Sequence, residues 1–549
     1  MEIIKEILNK ILFSSIVYPY IFLVLFYFVI ILVTPRVAQV KLFLFNKKVG
    51  VVVCCLLIAN YIGLLILYAT HDNFFDHAEA NIASVSWLFE RGNPIYHDLE
   101  SAERYTIPYG PMLYIINGFF LNLIKPSIFS AKIGGIFAAL VTFLLIFLIV
   151  QKTISFQIAT FCLAYLSLNF ISINTYFVAS FFWNRSDSFL IMFVALGLLA
   201  VVRTNPLLAI LVSALALGIS VNLKIHSILY FLPIYVLLYY RSGIYSTLVS
   251  LLGSLILAIV PFVTLPQVSL ANYLLWLNEF GVQGISLNIL RGNLIWSLYI
   301  LAPLIFLWIY FKSINAAEFH SFVRQQKPFI FSIVISLIAV LIIGSKQGAG
   351  MNHIIPFYPV FSYLFVLTLR SIITVKKQKT LRLSNQYYCR VYISLILALV
   401  TIMALRGALN ESRLITLSTK YNSEPINEIH TIIKSNPGIT IGMGYGDPYD
   451  LTFYRSLLVY SGNPYLIDAV SLMDAEVLGK DVPDATLKAL SSCDIQLWLI
   501  PKGSLPFQLN NYFNNRPVFS NKFQSTFLKT HQLRAQTKYY DLWFCNKST

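Results

Sequence analysis

What this chain lacks first is charge. Of 549 residues only 12% are Asp, Glu, Lys or Arg, while 57% are hydrophobic. Soluble domains carry roughly 25% charged residues, so the shortage excludes an ordinary water-soluble globule. Cysteine is also scarce, at six residues, and no Cys and His set has the spacing of a structural zinc site. Cys54, Cys55, Cys162 and Cys389 lie in or beside apolar runs, where a cysteine behaves as a small hydrophobe. Cys493 and Cys545 fall in the polar tail, and spacing alone does not decide whether they pair. Internal repeats and low-complexity tracts are not visible either, and no cleavable signal peptide is expected. The first apolar segment, Ile16 to Val33, is too long and too aromatic for a signal and has no small-residue cleavage site. "GMGYGD" in the tail lacks the G-x-G-x-x-G spacing of a phosphate loop and reads as a turn.

What is present is a series of apolar runs of about 20 residues, enough to cross a hydrocarbon core about 30 Å thick. The sequence predicts spans at 16–34, 49–69, 132–150, 155–174, 187–202, 206–221, 226–240, 246–265, 294–311, 328–344, 354–373 and 390–408. The net charge of +16 then reads as basic cytoplasmic loops under the positive-inside rule rather than as a nucleic-acid surface. Arg36, Lys41, Lys47 and Lys48, then Lys152, Arg203, Arg241, Lys312, Arg324, Lys327 and "RSIITVKKQKTLR" mark the inner side. The alternate segments face outward: 70–131, "FFWNRSDS", "NLKIH", "GSKQGAGMNH" and everything after about 409. This parity requires that "YGPMLYIINGFFLNLI", short and interrupted by Pro111, form a re-entrant or interfacial helix. From about residue 421 the tail alternates strand-like runs ("ITIGMGYG", "NPYLIDAVSL", "DIQLWLIP") with helical ones, which predicts a small layered α/β domain. The expected organisation is a membrane domain over 1–420 and an extracytoplasmic α/β domain over 421–549.

Residues 71–105 hold seven acidic side chains, Asp72, Asp76, Glu79, Glu90, Asp98, Glu100 and Glu103, against Arg91 and Arg104. Taken as a helix, 72–83 puts Asp72, Asp76 and Glu79 on one face. Capping explains Asp72 well. It explains Glu79 poorly, because the dipole effect fades after one turn, so Asp76 and Glu79 are the candidate site, either of them able to serve as base. Other outward rims carry Arg185 and Asp187, then Lys224 and His226, then Lys346 and His353. Charge at the end of a span is costly without a partner or a purpose, although a lone Lys can simply snorkel. Carboxylates facing cations on one membrane side fit sugar transfer from a lipid phosphate. A carboxylate orients or deprotonates the acceptor hydroxyl, and cations stabilise the departing phosphate. A hydrolytic carboxylate pair is the competing chemistry, defined by a separation that sequence does not measure.

"FFDHAEANIASVSWLFERGNPIYHD" followed by "YGPMLYIINGFF" resembles the first outer loop of GT-C-fold glycosyltransferases, among them the protein O-mannosyltransferase and lipid A aminoarabinose transferase families. "NRSDS" is similar to their second acidic loop, and "GSKQGAGMNHIIPFYPVF" to their late Lys-containing segment. The resemblance covers about 50–408. It implies an α-helical polytopic GT-C-like protein of about 12 transmembrane helices, with Asp76 as the catalytic carboxylate, Glu79 as its alternate and Asp187 as the second acid. It implies Lys346 as a ligand of the lipid phosphate; Arg185, Lys224, His353 and Tyr109 are further candidate substrate-binding residues. Where the family often has an acidic pair, this chain has Asp76 and His77. The expected activity is inverting transfer of a hexose or pentose from a polyprenyl-phosphate donor to a glycan, lipid or protein acceptor, at the outer face of a bacterial inner membrane. A divalent cation (Mg, Mn or Ca) at Asp76 and Asp187 is a candidate cofactor, since oxygen ligands suit such ions. The rival class is a transporter or flippase of lipid-linked saccharides. It would place ionisable residues at mid-membrane, whereas here they gather at one rim.

Overall fold

The computed structural model describes residues 47–172, 181–281, 284–378, 383–420 and 423–546; the span expected at 16–34 lies outside them. The described chain opens with α1 (Lys47–Thr70), α2 (His77–Glu90), α3 (Pro111–Ile124), α4 (Ile128–Gln151), α5 (Phe156–Ser172), α6 (Ser186–Arg203) and α7 (Pro206–Val221). It continues with α8 (Ile228–Thr264), α9 (Leu270–Gly281), α10 (Leu287–Ile314), α11 (Ala316–Gln325), α12 (Lys327–Ile343), α13 (Tyr358–Gln378) and α14 (Leu383–Ser418). Among the described residues, six helices are long and apolar enough to cross a membrane, or seven if α11 and α12, bent by 70°, count as one broken span. α8 merges the spans expected at 226–240 and 246–265, and breaks at Gly243, where φ is 80°. Leu248, Val249, Leu252, Leu255, Ile256 and Val263 stand exposed along its second half, an apolar surface suited to lipid.

The elements nearest the polar rim pack unusually closely. In α2 the eleven residues from His77 to Trp87 are all buried. Ala78, Ala80, Ala83, Ser84 and Ser86 keep that helix thin, so neighbours can close on every side. Two glycines set the approach of the loops around it. A Cβ on Gly135 of α4 would lie 2.4 Å from the Trp183 carbonyl oxygen, and one on Gly110 would lie 2.1 Å from that of Asn222. Only glycine lets "FFWNRSDS" lie across α4, or the start of α3 lie against "NLKIH". The second contact is fastened by hydrogen bonds from Gly110 N to Leu223 O (3.1 Å) and from Met112 N to Asn222 O (3.0 Å).

After α15 (Glu424–Ser435), the chain alternates β1 (Ile441–Met443), α16 (Arg455–Tyr460), α17 (Ala469–Val477), α18 (Asp484–Ser492) and β2 (Leu497–Pro501). It ends in α19 (Asn521–Thr530), β3 (His531–Gln536) and β4 (Tyr540–Cys545). The sheet order is β1-β2-β4-β3, with β1 and β2 parallel and the other neighbours antiparallel. Every residue of β2 is buried, as an apolar run sandwiched on both faces should be. "NPYLIDAVSL", expected as a strand, is corrected: it contributes only the bridge of Ile467 to Arg104 and then becomes α17. Asp468 caps that helix by accepting from Val470 N at 2.7 Å, and a satisfied N-cap favours helix over continued strand. Cys493 and Cys545 are joined in a disulfide with a Cα–Cα distance of 6.0 Å.

Candidate active site

The path into the site begins where α1 ends. The last carbonyls of a helix have no partner within it, and here Lys132 of α4 supplies one. Its ammonium donates to Tyr68 O at 2.8 Å and to His71 O and Asn73 O, each at 2.7 Å. Sequence reading passed over Lys132 as a residue at the edge of an apolar span. The sequence signal was a lysine at the start of an apolar run, and the structure buries it fully, where it needs acceptors.

The helix expected over 72–83 is corrected: α2 starts at His77, and its N-cap is Asp76, not Asp72. Glu79 closes the turn from inside. Its Oε2 accepts from Phe75 N and Asp76 N, both at 3.1 Å, its Oε1 accepts from Asn184 N at 3.1 Å, and the Tyr68 hydroxyl donates to it as well. Both oxygens are therefore occupied in fastening the first acidic loop to "FFWNRSDS". Burial pushes the Glu79 carboxyl up to about 7, with the Tyr68 hydrogen bond pulling against it and the nearby Asp76 charge adding to it.

Asp76 is also buried and shares the capping box of α2 with Glu79, but its side chain faces a charged partner. Its Oδ2 meets Arg185 Nη1 at 2.8 Å and its Oδ1 lies 3.6 Å from His77 Nε2. Burial alone would raise its carboxyl, but Arg185 and then His77 outweigh that and hold it below the ordinary range. Arg185 Nη2 donates to the Tyr109 hydroxyl at 3.4 Å. Asp187, in the first turn of α6, accepts from Lys224 Nζ at 2.6 Å, and that ammonium lies 5.8 Å from the centre of the Tyr109 ring. Tyr109 thus stands between two ion pairs, Asp76–Arg185 and Asp187–Lys224. Beyond Lys224, the His226 and His353 rings stack at 4.9 Å, and His353 Nδ1 lies 3.1 Å from Gly350 O. Among the described residues, Asp187 Oδ2, the Asn184 amide, Arg185 Nε, Ser186 Oγ and His226 Nε2 are buried without a hydrogen-bond partner. A row of unsatisfied polar atoms is costly in a closed core and ordinary in a binding site.

Lys346 is anchored elsewhere, its ammonium donating to Gly281 O at 2.6 Å and its backbone bridging Ile285. Its loop reaches the cluster indirectly, through Gly348, which lies against the Phe513 ring. The neighbouring Tyr512 stacks on His77 with ring centres 5.4 Å apart, and its hydroxyl is 3.2 Å from His77 Nε2. Arg455 of α16 donates to His77 O at 2.6 Å while paired with Asp468 at 2.7 Å. Sequence reading missed His77, Arg455 and Tyr512 as parts of this region, since two of them come from the tail more than 370 residues further along the chain.

Asp76 and Asp187 do not fit a divalent cation in this arrangement. Each carboxylate already faces its own cation, and such an ion needs several uncommitted oxygen ligands. Cys493, Cys545 and His531 come within 4.8 Å of one another, but the two thiols are spent in the disulfide.

In overall fold the chain is similar to ArnT from Cupriavidus metallidurans bound to undecaprenyl phosphate, with a TM-score of 0.53 and 14% identity, over 90% of this chain and 98% of that one. The apo form of the same protein gives a TM-score of 0.50 and 13% identity, over 89% and 97%. The oligosaccharyltransferase of Archaeoglobus fulgidus in its apo form reaches only 0.42 at 10% identity, over 83% and 70%, too remote to carry an argument. No family model and no curated protein matches the chain. At such identities the likeness speaks for the fold, which is GT-C.

Proposed function

We propose that the chain is an inverting glycosyltransferase that moves a sugar from a polyprenyl phosphate to an acceptor hydroxyl at the outer face of a bacterial inner membrane. The observation that carries this reading is the pairing of Asp76 with Arg185 and Asp187 with Lys224 around Tyr109. A base and phosphate-binding cations are thereby concentrated at one rim. The similar ArnT structure contains undecaprenyl phosphate, which supports a donor of that kind here. Asp76 takes the acceptor proton, the acceptor oxygen attacks the sugar's C1, and the C1–O bond breaks with its electron pair leaving on the phosphate. Arg185, Lys224 and Lys346 stabilise that phosphate, with Lys346 turning from Gly281 to do so; Tyr109 and His353 flank the lipid headgroup. Direct displacement inverts the anomeric centre. Glu79 holds the loop rather than the proton, because its oxygens are already filled. The membrane domain over 1–420 supplies the chemistry, and the tail over 421–549 shapes the acceptor entrance.

The test uses purified protein in detergent with radiolabelled undecaprenyl-phosphate sugars and envelope lipids or glycans as acceptors. Acceptor-dependent release of undecaprenyl phosphate is expected, and Asp76→Asn should lower it by about 10²-fold or more. Normal turnover in both Asp76→Asn and Glu79→Gln would discard the site. Movement of intact donor across vesicles without cleavage would favour the flippase.

A further inference from the structure

Sugar transfer from a phosphodiester liberates a proton: the donor phosphate carries one negative charge, the released monoester a second, and the acceptor loses its O–H hydrogen. Asp76, which receives that hydrogen, is only 5% exposed. Its neighbours offer few ways out. Arg185 stays protonated and accepts nothing, Lys224 is bound to Asp187, and Glu79 already accepts on both oxygens. His77 remains. Its Nε2 lies 3.6 Å from Asp76 Oδ1 and 3.2 Å from the Tyr512 hydroxyl, and Tyr512 is 53% exposed.

Resting on the glycosyltransferase reading, we propose that His77 and Tyr512 carry the proton from Asp76 to water after each transfer. The imidazole Nε2 takes the hydrogen from Asp76 Oδ1 and then donates it to the Tyr512 oxygen, while the hydrogen already on that oxygen passes to solvent. Each group returns to its starting form, with Asp76 again a carboxylate. Both residues act through Asp76 and touch no substrate atom. The groups facing His77 are Asp76 and Asp468 on the acidic side and Arg185 and Arg455 on the basic side, with Tyr449 and Tyr512 against the ring. Burial and the two guanidinium groups favour the neutral ring, the two carboxylates oppose them, and the balance lies below the ordinary range. The resting imidazole is thus free to accept. Arg455, donating to His77 O at 2.6 Å, fixes the backbone from which the ring extends.

Ring packing alone would account for the stack, so the test separates hydroxyl from ring. Tyr512→Phe keeps the ring and removes the relay atom. It should lower kcat about tenfold with KM unchanged, and His77→Ala should lower kcat about 10²-fold, with added imidazole restoring part of it. Wild-type kcat in Tyr512→Phe, or a His77→Ala enzyme that imidazole leaves unimproved, would overturn the relay. The two failures are distinguishable: a wild-type protein that cleaves no undecaprenyl-phosphate sugar refutes the transfer reading itself, and the relay with it. If His77→Ala does not fold, the half-exposed Tyr512 still decides.

Discussion

Asp76 and Glu79 lie three residues apart, and their surroundings separate them. One is held ionised by a guanidinium; the other is buried among hydrogen-bond donors and pushed up to about 7. For Glu79 the linkage has a definite sign. Its folded value stands above the ordinary 4.5, so the folded state holds the proton more tightly than the unfolded one. The resulting stability is fully present below about 4.5 and is lost as pH rises to about 7. Thermal unfolding should therefore fall in temperature across that window, and Glu79→Gln should flatten the slope while moving activity far less than Asp76→Asn does. At this scale the sequence was partly legible. Spacing singled out Asp76 and Glu79 together, but only the structure shows Glu79 held by the backbone amides of Phe75, Asp76 and Asn184 while Asp76 faces Arg185. Hydrogen-bond geometry across 105 residues leaves no trace in local pattern.

Among the elements, the long apolar helices were readable because their residues answer to a single solvent, the bilayer. The short ones answer to neighbours. "NPYLIDAVSL" has a strand's composition, yet Asp468 inside it caps α17. β3, with five of its six residues exposed, shows no apolar alternation to betray it. Close helix contacts also depend on single glycines. Gly110→Ala would force a Cβ to within 2.1 Å of Asn222 O. Overpacking of that kind costs about 1–3 kcal/mol, and relief of the clash would spread Tyr109 away from Lys224. A lowered Tm together with reduced transfer is expected; an unchanged Tm would show that the contact is not maintained. Removing the disulfide with a Cys493→Ser, Cys545→Ser pair frees a loop of 52 residues. The chain-entropy model puts that loss at about 4 kcal/mol, measurable as a lower unfolding temperature of the tail.

Across the whole molecule, the tail is bound into the site rather than appended to it. Arg455 joins Asp468 to the first turn of α2, and Arg104 N donates to Leu466 O while Asp468 N donates to Arg104 O at 2.9 Å. Breaking a buried ion pair from one side costs about 3–5 kcal/mol. Arg455→Met should accordingly loosen the tail, seen as faster proteolytic release of the C-terminal region together with weakened transfer, even though Asp76 and its cations remain intact. Composition told of the membrane and the tail's layered character. It did not tell that the tail returns to touch the first acidic loop, because the partners are buried polar groups rather than an apolar pattern.

In the proposed transfer, the two ion pairs around Tyr109 would also govern traffic. At rest, each carboxylate cancels one cation, so an arriving phosphate meets a balanced surface and must trade places with Asp76 and Asp187 to gain contact. Binding by exchange is looser than capture by bare positive charge. Under the proposed transfer, the released phosphate leaves as the carboxylates recover their partners, and the site resets itself for the next carrier.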